Sequence, residues 1–317
     1  MARANKKPNN TTDYTKNEKS SLLIVYIALL LAAFFWGSSF PATKIVLRGF
    51  SPIAYVFLRF VGASFIFGVL MLRRYRPLGR RVHLKLVLMA FFQPTIYFLF
   101  ESAGLQYTSA SSASMIIAAL PGIVALLAGF LLKERLSLRQ WAGVLLSIVG
   151  VIILAGFDDN PTYAESSLLG NSLVLLAVLA ASMYMIVARH LSSNLSAVEI
   201  TFYQVFYGML LLAPVFLFRM SSVEWNRVDA PSIGALVFLI LGATLVAFLA
   251  YNFALTRVDA SKAAVFLNGV PVASVLVSWV LLGERLGILQ LLGGLIVISG
   301  VTLTNWRRRT LARRRIM

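Results

Sequence analysis

The 317-residue sequence contains no cysteine and only two histidines, His83 and His190. The missing thiols exclude disulfide bonds, thiolate chemistry and zinc held by cysteine, but they leave the cellular compartment open. No His-Glu-x-x-His motif, no pair of intramembrane aspartates and no Gly-x-x-x-x-Gly-Lys loop occurs. These absences argue against a membrane-embedded enzyme and against direct coupling to ATP. We therefore expect no catalytic residue, no metal and no cofactor.

Charge is also scarce, because only 13% of the residues are charged whereas 59% are hydrophobic, and the mean hydropathy is +0.82. A transmembrane helix needs roughly 20 mostly apolar residues. Ten such segments account for nearly the whole chain and leave no room for a soluble domain. We number the predicted segments 1 to 10, at 22–46, 53–72, 84–103, 109–132, 138–156, 168–188, 197–218, 233–254, 260–282 and 287–306.

An internal repeat dominates the sequence. Residues 104–154 recur 150 positions later without a gap, with 17 identities in 51 positions. Apolar bias explains coincidences of leucine or alanine, but not the match of Pro121 with Pro271. Nor does it explain the run Leu-Leu-x-Glu-Arg-Leu, which begins at Leu131 and again at Leu281. Duplication of a half-molecule therefore sets the architecture.

A five-segment unit crosses the membrane an odd number of times, so the second copy must enter in the opposite sense. The predicted fold class is therefore all-α integral membrane, with ten transmembrane helices as two inverted five-helix repeats. The polar tail before segment 1 has the composition of a disordered segment. The expected domains are a disordered cytoplasmic tail (1–21), a first repeat (22–156), a second repeat (168–306) and a basic cytoplasmic tail (307–317).

The basic residues lie in loops and tails rather than along one helical face, which favours topology signals over nucleic-acid binding. With a cytoplasmic amino terminus, 23 of the 29 lysines and arginines fall on the cytoplasmic side and four on the opposite side. The loop 157–165 carries only negative charge. The positive-inside rule thus predicts that both termini are cytoplasmic. We expect the membrane to be the bacterial cytoplasmic (inner) membrane.

Three charged residues, Lys44, Arg59 and Glu101, fall within the outer third of the predicted bilayer. A charge in hydrocarbon costs about 2.5–3.5 kcal/mol on insertion scales, so it marks function by default. An ion pair of Glu101 with either cation would offset burial, although Lys44 can instead snorkel to the headgroups. Burial favours the protonated form of a carboxyl group, whereas neighbouring cations favour the ionised form. This balance makes Glu101 the candidate for proton coupling. We hypothesise that Glu101, or its pairing with Arg59, changes state during transport.

Polar and aromatic side chains at depths where lipid would penalise them are candidates for substrate binding. Gln93, Tyr97 and Glu101 share one face of segment 3 at positions i, i+4 and i+8. The candidate set is Trp36, Gln93, Tyr97, Tyr184, Tyr203, Gln204, Asn252 and Asn268. For the tyrosines and the tryptophan, packing or an interfacial belt is the alternative role. Pro121 and Pro271 remove helical hydrogen bonds and are candidates for gating or for a static bend.

Small residues in segments 5 and 10 permit close helix contact. The glycines concerned are Gly143, Gly150, Gly293, Gly294 and Gly300. We expect them to hold each repeat together, with a homodimer interface as the alternative, so the protein is a monomer or a homodimer. The Glu-Arg pairs at 134–135 and 284–285 end segments 4 and 9. We interpret them as structural, with the carboxylate pairing with a cation or capping a following helix.

The run Trp36-Gly37-Ser38-Ser39-Phe40 and the two Pro…Leu-Leu-x-Glu-Arg-Leu…Gln…Gly stretches resemble the drug/metabolite transporter (DMT) superfamily. The resemblance is to EamA-type ten-helix transporters with two EamA domains, and it covers about residues 22–305. It implies a central cavity, gating by segments 3–4 against 8–9, and export of amino acids or other small metabolites more often than uptake. Segment 6 departs from it, with Ala181-Ser182-Met183-Tyr184 at the corresponding place, so a shared pocket would be asymmetric.

The expected function is a secondary transporter that exports a small metabolite by alternating access. Its expected partners are a small-molecule substrate, the lipid bilayer and protons, with no nucleic acid. A membrane channel and a non-transporting membrane scaffold are the alternatives. The sequence leaves the substrate, the direction, the driving ion and the oligomeric state unassigned.

Overall fold

Every regular element in the described part of the protein is a helix. The computed structural model describes residues 11–305 except 73–76, 132–136, 157–165, 192–194, 221–224, 256 and 259–265. Segments 1, 2, 5, 6, 7, 9 and 10 contain the helices Thr11–Val46, Pro52–Met71, Leu138–Gly156, Ser167–Leu191, Ala197–Arg219, Gly269–Leu282 and Ile288–Asn305. Segment 3 comprises Arg80–Ala90, Phe91–Ile96 and Tyr97–Gly104; segment 4 comprises Ala110–Ile117 and Leu120–Leu131; segment 8 comprises Ala230–Phe238, Leu239–Val246 and Ala247–Leu255.

Segments 1–4 and 6–8 are each long and apolar enough to cross a membrane, and segments 5, 9 and 10 contain shorter apolar helices. Large apolar side chains such as Phe65, Val69, Leu145 and Ile152 are exposed on the outside of the bundle, where acyl chains would cover them. The chain is therefore a membrane protein whose described part is all helical, whereas ten crossings and an inverted second repeat remain predictions. The helix Thr11–Val46 includes residues of the tail that composition predicts to be disordered.

Local sequence explains where several helices begin. Ser51, Ser109, Ser196 and Asp229 are N-cap residues, and each side chain accepts a hydrogen bond from the backbone N–H three residues further on. These bonds satisfy donors that the first helical turn leaves free. Hydrogen bonding by Ser232 lowers the pKa of the Asp229 carboxyl below its ordinary value.

The two repeats interlock. Segment 1 packs on segments 8 and 9, and segment 6 packs on segments 3 and 4 in the corresponding way. Segment 2 pairs with segment 7, and segment 5 pairs with segment 10. Exchange of one repeat for the other leaves this pattern of partners unchanged, so the principal helix pairs join one repeat to the other.

Segments 5 and 10 approach each other through glycine. A Cβ atom added to Gly150 would lie 2.7 Å from both the Gly293 carbonyl oxygen and the Val297 nitrogen. One added to Gly300 would lie 2.6 Å from the Gly143 carbonyl oxygen. The expectation that these glycines hold each repeat together is wrong, because each contact joins two different repeats. The faces of these glycines that make the close contacts are covered within the chain, and the oligomeric state stays a prediction.

Candidate functional site

Segments 3 and 8 depart from α-helical geometry at corresponding positions of the two repeats. Each contains a π-helical turn, Phe91–Ile96 in segment 3 and Leu239–Val246 in segment 8. In the first of these turns Gln93 is extended (φ −143°, ψ 118°) and precedes Pro94, which has no N–H to donate. Interrupted helices at matching places typically form substrate sites in transporters, since irregular backbone needs protein or water rather than lipid around it.

Segments 4 and 9 have breaks of their own. In segment 4, the helix Ala110–Ile117 ends before Leu120–Leu131 begins, and Pro121 lies in the first turn of the second helix. In segment 9, Pro271 lies in the first turn of Gly269–Leu282. Proline fits a first turn because its missing N–H would have no partner there. The expected departure from a straight helix is therefore present at both prolines, and their gating role remains a prediction.

Trp36 attaches segment 1 to the interruption in segment 8. Its indole Nε1 donates a hydrogen bond of 3.1 Å to the carbonyl oxygen of Ala243, within the π-helical turn. The ring also lies 5.2 Å from the ring of Tyr251. The neighbouring Gly37 has room for no side chain, because an added Cβ would lie 2.9 Å from the Ser274 nitrogen in segment 9. The Trp-Gly pair thus fixes segment 1 on segments 8 and 9.

We expect Trp36→Phe to lower the thermal stability of the purified protein, because the hydrogen bond from the indole to the buried Ala243 carbonyl is lost while the aromatic volume is largely kept. A hydrogen bond typically contributes about 0.5–1.5 kcal/mol net. The matched control is Trp279→Phe, at an exposed tryptophan, which we expect to unfold at the parent temperature. Equal unfolding temperatures for the two variants would contradict a structural role for the indole N–H.

Arg59 is the centre of a buried polar cluster. Its Nε donates to Thr244 Oγ1 at 3.0 Å, and its Nη1 donates to the Tyr55 hydroxyl at 2.7 Å. The guanidinium carbon lies 4.6 Å from the centre of the Phe98 ring, a cation–π distance. The Tyr55 hydroxyl is also 3.2 Å from Thr43 Oγ1. Arg59 therefore ties segment 2 to the π-helical turn of segment 8, which holds Thr244.

Glu101 is buried beside this cluster, with 2% of its surface exposed. Its Oε1 accepts a hydrogen bond of 3.4 Å from the Tyr97 hydroxyl, and its Oε2 has no hydrogen-bond partner among the described residues. The expected ion pair of Glu101 with Lys44 or Arg59 is not formed in this structure. Arg59 directs two of its nitrogens at Thr244 and Tyr55, although it stands near enough to act electrostatically on Glu101.

Lys44 has a different carboxylate as its neighbour. Its Nζ lies 3.5 Å from Glu284 Oε1, and both side chains are buried, so Lys44 does not snorkel. Glu284 also accepts hydrogen bonds from the backbone nitrogens of Ala110, at 3.0 Å, and Ser111, at 3.2 Å. The two structural roles expected of Glu284, pairing with a cation and capping a helix, are both present. The capped helix is segment 4 of the other repeat, however, and not the helix that follows.

A second polar group lies between segments 3, 6 and 7. The Tyr184 hydroxyl donates a hydrogen bond of 3.3 Å to Gln204 Oε1. Tyr203 is buried, with its ring centre 5.6 Å from that of His83 and 6.0 Å from that of Tyr207. His83 Nδ1 lies 2.6 Å from the Tyr207 hydroxyl. Sequence reasoning missed the last pair because no spacing relates two residues so far apart in the chain.

The remaining candidates lie at the helix breaks or outside the described side chains. Gln93 and Asn268 are half-buried, and Asn268 forms no capping hydrogen bond through its side chain. Asn252 belongs to the helix Ala247–Leu255, and its side chain is outside the described part. Glu134 and Arg135 are also outside it. The structure thus brings Arg59, Glu101 and Tyr97 together and places Tyr184 with Gln204 as a separate pair.

Comparisons with known proteins agree with this architecture. The model of the EamA-like transporter family matches residues 23–156 and 168–306. An "Uncharacterized transporter" of Archaeoglobus fulgidus is 30% identical over 287 residues, covering 89% of this chain and 99% of the relative. A "Probable terminal-alkyne amino-acid exporter" of Streptantibioticus cattleyicolor is 28% identical over 290 residues, covering 91% and 95%. A solved structure titled "Crystal structure of protein" aligns with a TM-score of 0.60 over 90% of this chain and 97% of that one; at 20% identity it supports the fold alone.

Proposed function

The chain belongs to the EamA-like transporter family, and we propose that it is a secondary transporter that exports a small polar or amphiphilic metabolite by alternating access. An amino acid or a similar compound is the proposed substrate class, supported by the name of the Streptantibioticus cattleyicolor relative. The proposal includes the bacterial cytoplasmic membrane, cytoplasmic termini and the absence of catalysis. It also includes ten crossings in two inverted repeats.

The observation that carries this proposal is the matched pair of π-helical turns in segments 3 and 8, together with the breaks before Pro121 and Pro271. Four stretches, two in each repeat, depart from a straight α-helix. In repeats of opposite orientation, an exchange of conformation between the halves closes one side and opens the other. Equivalent breaks in both halves are what such an exchange requires.

Within this proposal the residues divide by role. Gln93, Tyr97, Tyr184, Gln204 and Asn268 offer hydrogen bonds to the polar groups of a substrate. Arg59 and Glu101 form the coupling pair, because one oxygen of the buried Glu101 has no hydrogen-bond partner in the part of the chain that the structure describes. Trp36 positions segment 8 and thereby shapes the cavity.

The function is tested with purified protein in liposomes loaded with one unlabelled amino acid and given the same amino acid, radiolabelled, outside. A panel of the proteinogenic amino acids identifies the substrate. A carrier accumulates label transiently above equilibrium by counterflow, and its rate saturates with concentration. A channel equilibrates the label without an overshoot, and a scaffold gives no flux with any compound; either result would overturn the proposal.

The orientation of the repeats predicts the outcome of a labelling experiment for which a cysteine-free chain is well suited. Ser137 and Arg285 are exposed and lie beside the repeated Glu-Arg pairs of segments 4 and 9. In intact cells we expect a membrane-impermeant maleimide to label Arg285→Cys but to label Ser137→Cys only after permeabilisation. Labelling of both cysteines in intact cells, or of neither, would contradict an inverted second repeat.

A further inference from the structure

The Glu284 carboxylate connects segments 1, 4 and 9 at one end of the bundle. We propose that it acts with Lys44, Ala110 and Ser111 as a latch that closes this end, and that the latch must release before the substrate pathway opens there. The inference rests on the proposed alternating access. It assigns to Glu284 a conformational role beyond the structural one that its position in a repeated motif indicates.

Both oxygens of Glu284 are used. Oε1 accepts from the Ala110 nitrogen at 3.0 Å and lies 3.5 Å from Lys44 Nζ. Oε2 accepts from the Ser111 nitrogen at 3.2 Å and from the Ser111 hydroxyl at 3.1 Å. The carboxylate therefore sits at the N-terminus of segment 4, where the helix dipole and free N–H groups favour an anion. Bonds to an ionised group are shorter and stronger than those between neutral groups.

A second set of polar contacts lies beside the first. Gln290 of segment 10 donates through Nε2 to Ser112 Oγ at 2.9 Å, while its Oε1 accepts from the Gly287 nitrogen at 2.9 Å. Ser274 of segment 9 donates its hydroxyl to the Ala110 carbonyl oxygen at 3.3 Å. Three side chains of the second repeat thus hold the first turn of segment 4, which belongs to the first repeat.

The chemistry of this contact suits reversible closure. Glu284 follows Gly283, whose left-handed backbone (φ 68°) ends the helix Gly269–Leu282 and turns the chain toward segment 4. The contacts of Glu284 with Lys44, Ala110 and Ser111 are polar, and water can replace each of them when the end opens, so their release is reversible. The glycine contact between segments 5 and 10 is different, because water cannot replace the close packing of two helix backbones.

The experiment measures accessibility, so it needs no substrate. Ser278 is a fully buried residue of segment 9 that precedes Glu284, and its hydroxyl has no hydrogen-bond partner among the described residues. Ser278→Cys is therefore a mild reporter in a chain without other cysteines. The rate of its reaction with an impermeant maleimide is compared with and without Glu284→Ala, from the membrane face at which Arg285→Cys reacts.

We expect Glu284→Ala and Lys44→Met each to raise the reaction rate of the Ser278→Cys reporter, by about tenfold or more for Glu284→Ala. A tenfold rise corresponds to a shift of about 1.4 kcal/mol toward the open state. An unchanged reporter rate in both variants, with Arg285→Cys reacting as in the parent, would overturn the latch. If Glu284→Ala yields no folded protein, Ser111→Ala removes one hydrogen bond and should give a smaller rise, and its absence would likewise count against the proposal.

A charge exchange separates the latch from a simple ion pair. In the double variant Lys44→Glu with Glu284→Lys the ion pair can re-form, but a lysine then faces the backbone N–H groups of segment 4. These groups are donors and cannot accept hydrogen bonds from its ammonium group, and the helix dipole there disfavours a cation. We expect the reporter to stay reactive in this variant. A return to the parent rate would show that the ion pair alone closes the end.

The same reporter keeps the latch distinguishable from the proposed transport function. If the parent protein shows counterflow but the reporter rate does not change in Glu284→Ala, the latch is rejected and the transport function is retained. If the Ser278→Cys reporter responds to Glu284→Ala in protein that gives no counterflow with any amino acid, amino-acid transport is rejected and the latch is retained.

Discussion

Gly150→Leu is expected to separate segments 5 and 10 and to lower the thermal stability of the purified protein more than Trp36→Phe does. Overpacking a well-packed core typically costs about 1–3 kcal/mol. The cost should reach or exceed the upper value, since the new Cβ would lie 2.7 Å from the Gly293 oxygen and the Val297 nitrogen. Both are backbone atoms, so the clash can be relieved only by moving a helix. The measurement is the unfolding temperature in detergent, together with the yield of monodisperse protein.

The matched control is Gly234→Leu. Gly234 also lies inside a helix, Ala230–Phe238, but a Cβ added there meets nothing within 4 Å. Replacement of a helical glycine by leucine gains up to about 1 kcal/mol of helix propensity, so this variant should be as stable as the parent or slightly more so. Equal unfolding temperatures for Gly150→Leu and Gly234→Leu would show that the close approach of segments 5 and 10 does not exist in the protein.

Glu101→Gln is expected to remove the pH dependence of transport and to reduce concentrative flux at least tenfold, while counterflow of the substrate persists. Glutamine keeps the size of the side chain and can still accept a hydrogen bond from Tyr97, but it cannot bind or release a proton. A tenfold difference in proton affinity between two conformations is worth about 1.4 kcal/mol of driving force. The measurement is flux into liposomes at a series of pH values with and without a proton gradient.

Another buried glutamate supplies the control for this experiment. Glu199 accepts hydrogen bonds from the backbone nitrogen and hydroxyl of Ser196 in a capping box at the start of segment 7. Glutamine also serves in that position, so Glu199→Gln should keep the parent's pH profile. If Glu101→Gln transports at the parent's rate with the parent's pH profile, Glu101 has no coupling role.

The helices could be predicted from the sequence because their signals are local. Apolar length marks a membrane segment, and residues such as Ser51, Ser109 and Asp229 cap the helix that follows them. The duplication also indicated corresponding features in the two halves, and the breaks before Pro121 and Pro271 are an example. Helical structure in the polar tail could not be predicted, since the tail has no apolar period to reveal it.

The partners of the buried polar groups could not be predicted in the same way. Position along a segment gives the depth of Lys44 and Arg59 in the membrane, but not the helix that each side chain faces. The repeats interlock, so these partners come from the other half of the chain: Glu284 for Lys44 and Thr244 for Arg59. The sequence suggests a role for the ring of Trp36, whereas the structure uses its N–H on a backbone carbonyl within a π-helical turn. Such a carbonyl has no signature in the sequence.

The glycine contact between segments 5 and 10 also bears on how the halves can move. Two backbones that touch over Gly143 and Gly300, and again over Gly150 and Gly293, allow rotation about their common line but little sliding. In any rotation the displacement of an atom grows with its distance from the axis. If the halves exchange conformations as proposed, segments 5 and 10 would lie on the axis of rotation, and probes attached to both segments should report a nearly constant separation.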